Sequence, residues 1–346
     1  MQIRRPTICR PWARLCWIWL LNTTGIGGYV SLPRDFLTPQ PGVMTARATL
    51  VTRQDLDHTG RRVSRVHTLR SQAPLILRPT QPKEPEPQVL RAASVARVSL
   101  VSGAAGPLGG DDFELNIRVG TGSTLLLNEI SSTLLLPGAR GGQSSMRINI
   151  AVEDDATFVW MAEPVIAAHG CRHEHTINIE LAASARLFMR DALQFGRHKE
   201  QPGNLLQTLR VKRDGEPLFS QQQQIGPDAV GWCSCAVLGK HKCMGTVLVV
   251  DPQWCAIQPE TNVFAVDAAL LPLEGPAVMI SALAAETWTL RKHLEHGINL
   301  LGERWSVAAS ESARDDQDAG CYRHKPDPAI PSSDTIRQGN DYEYTN

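Results

Sequence analysis

The 346-residue chain has no excess of either charge: 35 Lys and Arg stand against 35 Asp and Glu. That balance argues against a nucleic acid or a membrane surface as a partner held by bulk electrostatics. Aromatic residues make up only 5%, and the one compact apolar run near the start, Leu15 to Leu21, is far too short to cross a bilayer. Catalytic signatures are missing as well. Gly239-Lys240 lacks the glycine that a phosphate-binding loop needs five positions earlier, where Ser234 stands. There is no G-x-S-x-G elbow, no H-E-x-x-H pair and no dinucleotide fingerprint. The eight cysteines (Cys9, Cys16, Cys171, Cys233, Cys235, Cys243, Cys255 and Cys321) show no regular disulfide framework, so reduced thiols in a cytosol are expected.

What is present is alternation. Leu115, Ile117 and Val119 alternate with Glu114, Asn116 and Arg118. Met146, Ile148, Ile150 and Val152 do the same, as do Ile177, Ile179 and Leu181. This is the period of half-buried strands. Further strand candidates are Ala46–Val51, Arg62–His67, Val95–Leu100, Thr157–Trp160, Arg186–Met189, Leu205–Lys212, Pro217–Gln221 and Thr246–Val250. Gly120-Thr121-Gly122 between Leu115–Val119 and Leu125–Leu127 predicts a hairpin. Many strands with turn signals between them predict an all-β sandwich, barrel or β-helical stack. One helix is expected from Pro276 to about Arg304, with Leu283, Leu290, Leu294, Ile298 and Leu301 on its apolar stripe.

Residues 1–43 look unlike the rest and are expected to be a disordered extension or an over-long start before Met44. A polar tail, 306–346, is expected to be disordered. The proline-rich Pro79–Pro87 reads as a surface insertion within a single β domain, 44–305.

Two clusters could carry chemistry. In His169-Gly170-Cys171-Arg172-His173-Glu174-His175, strand periodicity would set His169, Cys171, His173 and His175 on the face that continues into Ile177. Imidazole and thiolate suit nickel, zinc or copper. Residues two apart on a strand lie about 7 Å apart, so one ion could bridge neighbours but not all four. The same pattern also fits histidines at the wet end of a core strand. The second cluster is acidic: Asp111, Asp112, Glu129, Glu153–Asp155, Glu163 and Asp191. Carboxylates there could ligate a passing cation or accept hydrogen bonds from loop amides. Cys233-Ser234-Cys235 with His241 and Cys243 lacks the spacing of a structural zinc site.

The turn Gly106-Pro107-Leu108-Gly109-Gly110-Asp111-Asp112, then Ala156-Thr157-Phe158-Val159-Trp160-Met161-Ala162-Glu163-Pro164, then Leu193-Gln194-Phe195-Gly196-Arg197-His198 follow in order. Together they resemble the UreD (UreH) family of urease accessory proteins over roughly Thr45 to Arg304. The resemblance implies an all-β protein of β-helical or stacked-sheet architecture with a small C-terminal helical part. It also implies a cytoplasmic, non-catalytic maturation factor, or chaperone, for urease. Such a protein binds the urease structural subunits and recruits UreF, which docks the GTPase UreG. Nickel would be in transit, with no cofactor held tightly. On this reading Asp111, Asp112, Glu163, His169, Cys171, His173 and His175 are the candidate passage residues, and Gly106, Gly109 and Gly110 shape the turn. The alternatives are a stand-alone nickel- or zinc-binding β module and a secreted β-helical carbohydrate-active protein.

Overall fold

A computed structural model describes residues 43–306, except 82–85, 92 and 140. The expectations for the N-terminal extension and the tail concern residues almost wholly outside that span. The strands are β1 (Thr45–Leu56), β2 (Arg62–Arg70), β3 (Leu75–Pro79), β4 (Ala96–Ser102), β5 (Asp112–Val119) and β6 (Thr124–Glu129). They continue as β7 (Thr133–Leu135), β8 (Ser144–Val152), β9 (Thr157–Met161), β10 (Val165–Ala167), β11 (Arg172–Leu181) and β12 (Arg186–Phe195). The last are β13 (Asn204–Arg213), β14 (Glu216–Ile225), β15 (Cys243–Val250), β16 (Asn262–Ala265), β17 (Ala268–Pro272) and β18 (Ala277–Ala284). A single α-helix among the described residues, α1 (Thr287–Asn299), follows them.

These strands form two sheets. A seven-stranded sheet runs β14-β13-β11-β8-β5-β1-β2, and a larger one runs β16-β17-β18-β15-β12-β9-β6-β4-β3 with β10 and β7 beside it. From β4 to β13 the long strands alternate between the sheets, each pairing in parallel with the strand one coil earlier. The result is a solenoid of stacked coils, in line with the all-β, stacked-sheet expectation.

The alternation in sequence is what makes the coil close. Leu115, Ile148 and Ile177 meet in register, as do Ile117, Ile150 and Ile179, and all six point into the core between the sheets. On the outer face of the same rows, Asn149 Nδ2 donates to Asn116 Oδ1 (3.0 Å) and Asn178 Nδ2 to Asn149 Oδ1 (3.1 Å). Parallel stacking puts identical amides one strand apart, so each satisfies the next.

Two expectations need correction. The segments around Gly120–Gly122 do not form a hairpin: β5 lies in the smaller sheet and β6 in the larger. The signal is in β6 itself, where Leu125, Leu126 and Leu127 are all buried, the mark of a strand covered on both faces. Leu125 and Leu127 enter the core between the sheets, while Leu126 joins a second cluster on the far side of the larger sheet. The helix is also shorter than expected. Ala277–Ala284 is the fully buried strand β18, and Leu283 belongs to it rather than to the helix. A short unbroken apolar run reads equally as buried strand or buried helix. Leu290, Leu294 and Ile298 of α1 pack with Val278, Ile280 and Ala282 of β18 in that second cluster. Burying each of those three side chains stabilises the docked helix by about 2 kcal/mol.

Candidate functional site

Each coil leaves the larger sheet at the C-terminal end of one strand and enters the smaller sheet at the N-terminal start of the next. Along this side of the solenoid the apolar core gives way to a cavity of about 70 Å³. Its wall includes Gly106 and Pro107, Phe113 of β5, Glu129 of β6, Met146 of β8, Trp160 of β9, Glu163, His173 and His175 of β11, and Asp191 of β12. It has room for several waters or a partly hydrated cation.

The acidic groups are held by specific donors. Trp160 Nε1 donates to Glu129 Oε1 (3.2 Å) and the Glu163 backbone amide to Glu129 Oε2 (3.2 Å). Burial pushes the Glu129 carboxyl up to about 7, opposed by those two donors and reinforced by Asp191 and Glu163 nearby. Burial likewise pushes Asp191 up to about 6, against a 2.9 Å hydrogen bond from Gln207 Nε2. Glu129 and Asp191 keep some accessible surface, and both line the cavity. Glu163 is clamped from outside: Arg190 Nη2 bonds its Oε1 at 3.0 Å, and Arg291 Nη2 of α1 reaches both oxygens at 3.1 and 3.0 Å.

The histidines are the opposite case. Burial drives His175 down to about 4, and burial together with neighbouring His175 drives His173 well below the usual histidine range. Their rings sit 5.9 Å apart, tilted by 49°. At neutral pH the cavity therefore offers two uncharged imidazoles beside two carboxyls that exchange protons readily. Neutral imidazole and carboxylate are donor types that a borderline divalent cation accepts. Among the described residues, no three His, Cys, Asp or Glu side chains are grouped to hold a metal ion.

A polar row continues beyond the cavity. In the smaller sheet His175 pairs in register with Gln207, and Gln207 with Gln223 of the edge strand β14. In the larger sheet Asp191 pairs with Thr246, and Thr246 with Ser281. Apolar inward positions lie to either side of this row: Leu209 and Leu248 in one cluster, Leu205 and Met244 in another. A polar layer between two apolar clusters is costly unless its groups find partners.

Of the candidate passage and turn residues, Gly106, Glu163, His173 and His175 line the cavity, as do Glu129 and Asp191 of the wider acidic cluster; Asp111, Asp112, His169, Cys171, Gly109 and Gly110 do not. Asp111 is 2% exposed, and its two carboxylate oxygens accept the backbone amides of Met44 and Leu108, each at 2.8 Å. Asp112 pairs with Arg47 (2.6 Å) and accepts from the Ser145 hydroxyl (2.5 Å). β11 begins only at Arg172, so His169 lies in the preceding turn, exposed. Cys171 is buried in an apolar cluster, and burial pushes its thiol up to about 11. Gly109 shapes the turn by proximity: a Cβ there would come within 2.6 Å of the Gly138 nitrogen. Gly110 serves it by conformation, at φ +100°.

Sequence reasoning named Glu129 and Asp191 only as part of a broad acidic group. A sharper signal exists. Both occupy inward positions on otherwise apolar faces, Glu129 after Leu125 and Leu127, Asp191 between Met189 and Leu193. A carboxylate in such a place needs a reason.

Fold and site together define a β-solenoid with titratable imidazole and carboxyl groups set into its interior. The family model described as UreD urease accessory protein matches residues 44–315. The chain is 35% identical over 271 residues to Urease accessory protein UreD 2 of Saccharopolyspora erythraea, covering 77% of this chain and 91% of that one. It is 34% identical over 260 residues to Urease accessory protein UreD of Streptomyces coelicolor (75% and 97% covered). To the protein of that name from Frankia alni it is 36% identical over 282 residues (74% and 93%). The chain belongs to the UreD family of urease accessory proteins, which are maturation factors and not enzymes. Its role thus lies in urease maturation, and the carbohydrate-active alternative falls away. No helix among the described residues is long and apolar enough to cross a membrane.

Proposed function

We propose that this protein is the scaffold through which nickel reaches the urease active site. It binds the urease apoprotein in the cytoplasm and recruits UreF, which brings the GTPase UreG. Nickel is cargo here, passed along and not retained. The observation that carries the reading is the cavity: Glu129, Asp191, His173 and His175 all line it, beside the apolar core between the sheets. Oxygen and imidazole donors are the ligands that a borderline cation accepts. A dispersed set, without a closed tetrahedral site, suits transfer better than storage. The row through Gln207 and Gln223 supplies polar groups from the cavity to an edge of the solenoid.

Co-expression of the full chain with the urease subunits and UreF tests the scaffold half of this reading. Co-purification with both is expected. A folded chain that ignores both while retaining nickel in stoichiometric amount would favour the stand-alone metal module instead.

A further inference from the structure

Ser144, the first residue of β8, lies opposite His173 in the sheet register and is 1% exposed. Its Oγ stands 2.8 Å from His173 Nδ1 and 3.3 Å from the Arg172 carbonyl oxygen. A serine hydroxyl has a single proton to give, and a carbonyl oxygen can only accept. If that proton goes to the Arg172 carbonyl, Oγ must accept from the ring, and Nδ1 then carries the imidazole proton. The other ring nitrogen settles the choice. His173 Nε2 is buried and has no hydrogen-bond partner. In the opposite arrangement Nε2 would carry a buried N–H with nothing to receive it, the rarer and costlier kind of orphan. With the proton on Nδ1, Nε2 holds only a lone pair.

We propose that Ser144 is a positioning residue that fixes His173 as its Nδ1–H form, leaving the Nε2 lone pair as the nitrogen that meets a divalent cation in the cavity. The identity of that cation as nickel rests on the functional reading above; the tautomer does not. The arrangement follows the general habit of histidine ligands, whose second nitrogen is tied to a neighbouring acceptor that sets ring orientation and tautomer. It also explains a serine at an inward position where the other members of the register row are apolar or aromatic: Ser144 and His173 pair, and Leu205 follows. Replacing Ser144 by alanine releases Nδ1 and lets the proton move to Nε2, which blocks the ligating position. Threonine keeps the hydroxyl and the proton order.

The test is nitrogen NMR on the full chain carrying 15N-histidine, with His173→Gln identifying the His173 signals. The wild-type ring is expected to show a protonated Nδ1 and a bare Nε2. Ser144→Ala should move the proton to Nε2, and Ser144→Thr should restore the wild-type pattern. Nickel(II) added alone should broaden the wild-type His173 signals, with the midpoint shifted about tenfold higher in Ser144→Ala and returned by Ser144→Thr. A wild-type ring protonated on Nε2, or one unmoved by Ser144→Ala, overturns the proposal. A tautomer that switches with no change in nickel broadening overturns its ligand half. Failure of nickel transfer to urease would appear instead in cavity variants that leave this ring untouched, so the two ideas fail separately.

Discussion

Gln207 and Asp191 stand on opposite sheets of the solenoid, and Gln207 Nε2 donates to Asp191 Oδ2 at 2.9 Å across the interior. The bond joins Asp191, which lines the cavity, to the polar row that runs towards β14. It gives the buried carboxylate one of its few donors, the other being the Ala192 amide.

Gln207→Leu removes that donor and pushes the Asp191 carboxyl further up. The cost in stability should be about 2 kcal/mol near pH 8, where the carboxyl is ionised, and about 1 kcal/mol near pH 4.5, where it is protonated. Urea unfolding at the two pH values checks it. A cost independent of pH would contradict the pairing of a charged Asp191 with Gln207.

Glu129 gives a pH signature of its own. Its carboxyl titrates at about 7 when folded, against 4.5 when free, so the folded protein holds the extra proton between those values. Stability contributed by this group is therefore present at low pH and lost as pH rises to about 7, by roughly 3 kcal/mol in all. His175 acts in the other direction: its folded value of about 4 lies below the usual 6.5, so its contribution rises with pH across that window. The two partly cancel between pH 4.5 and 6.5, values set by those same shifts. Glu129→Gln should then stabilise the protein most clearly above neutral pH, by roughly 3 kcal/mol. Thermal unfolding of both proteins at about pH 8 and about pH 5 measures it; an unchanged slope would show that the carboxyl is not buried.

Asp111 should separate stability from passage. Asp111→Ala leaves the Met44 and Leu108 amides without their acceptor, at a cost of about 3 kcal/mol. Urease activation per folded molecule should stay at the wild-type level. Lost activation in a variant with intact stability would put Asp111 on the route after all.

The two arginines on Glu163 should differ. Arg190 is 14% exposed and also bonds the Ala162 carbonyl, whereas Arg291 is 46% exposed. Arg190→Ala should cost about 3 kcal/mol, as for one partner removed from a buried pair, and Arg291→Ala less than about 1 kcal/mol. Chemical denaturation of the two variants decides; equal losses would mean that α1 holds Glu163 as firmly as β12 does.

Much of the fold is legible in the sequence because inward and outward residues alternate so regularly along β5, β8 and β11. What alternation does not carry is which strand comes next to which. A glycine turn such as Gly120–Gly122 serves equally for a hairpin and for a step to the opposite sheet, and only the unbroken burial of Leu125–Leu127 separates them. Ala277–Ala284 misleads for a related reason, since a strand covered by α1 on one face and the core on the other has no polar positions to reveal its period. At the site, His173 and His175 were readable from their parity with Ile177. Asp111 stands out in the sequence by its glycine-rich turn, yet its carboxylate accepts the Met44 and Leu108 amides. Glu129 and Asp191 come to line one cavity only when coils stack, a proximity between residues 62 positions apart that no local pattern encodes.

Passage of nickel to urease through this cavity is open to direct measurement. The direct measurement is the nickel content and activity of urease matured in cells carrying the full chain with Glu129→Gln and Asp191→Asn together, beside a co-purification of the same complex. An intact complex whose urease holds at least about tenfold less nickel is expected, since neutral amides replace two of the carboxyls that line the cavity. Fully loaded urease from an intact complex would contradict passage through the cavity.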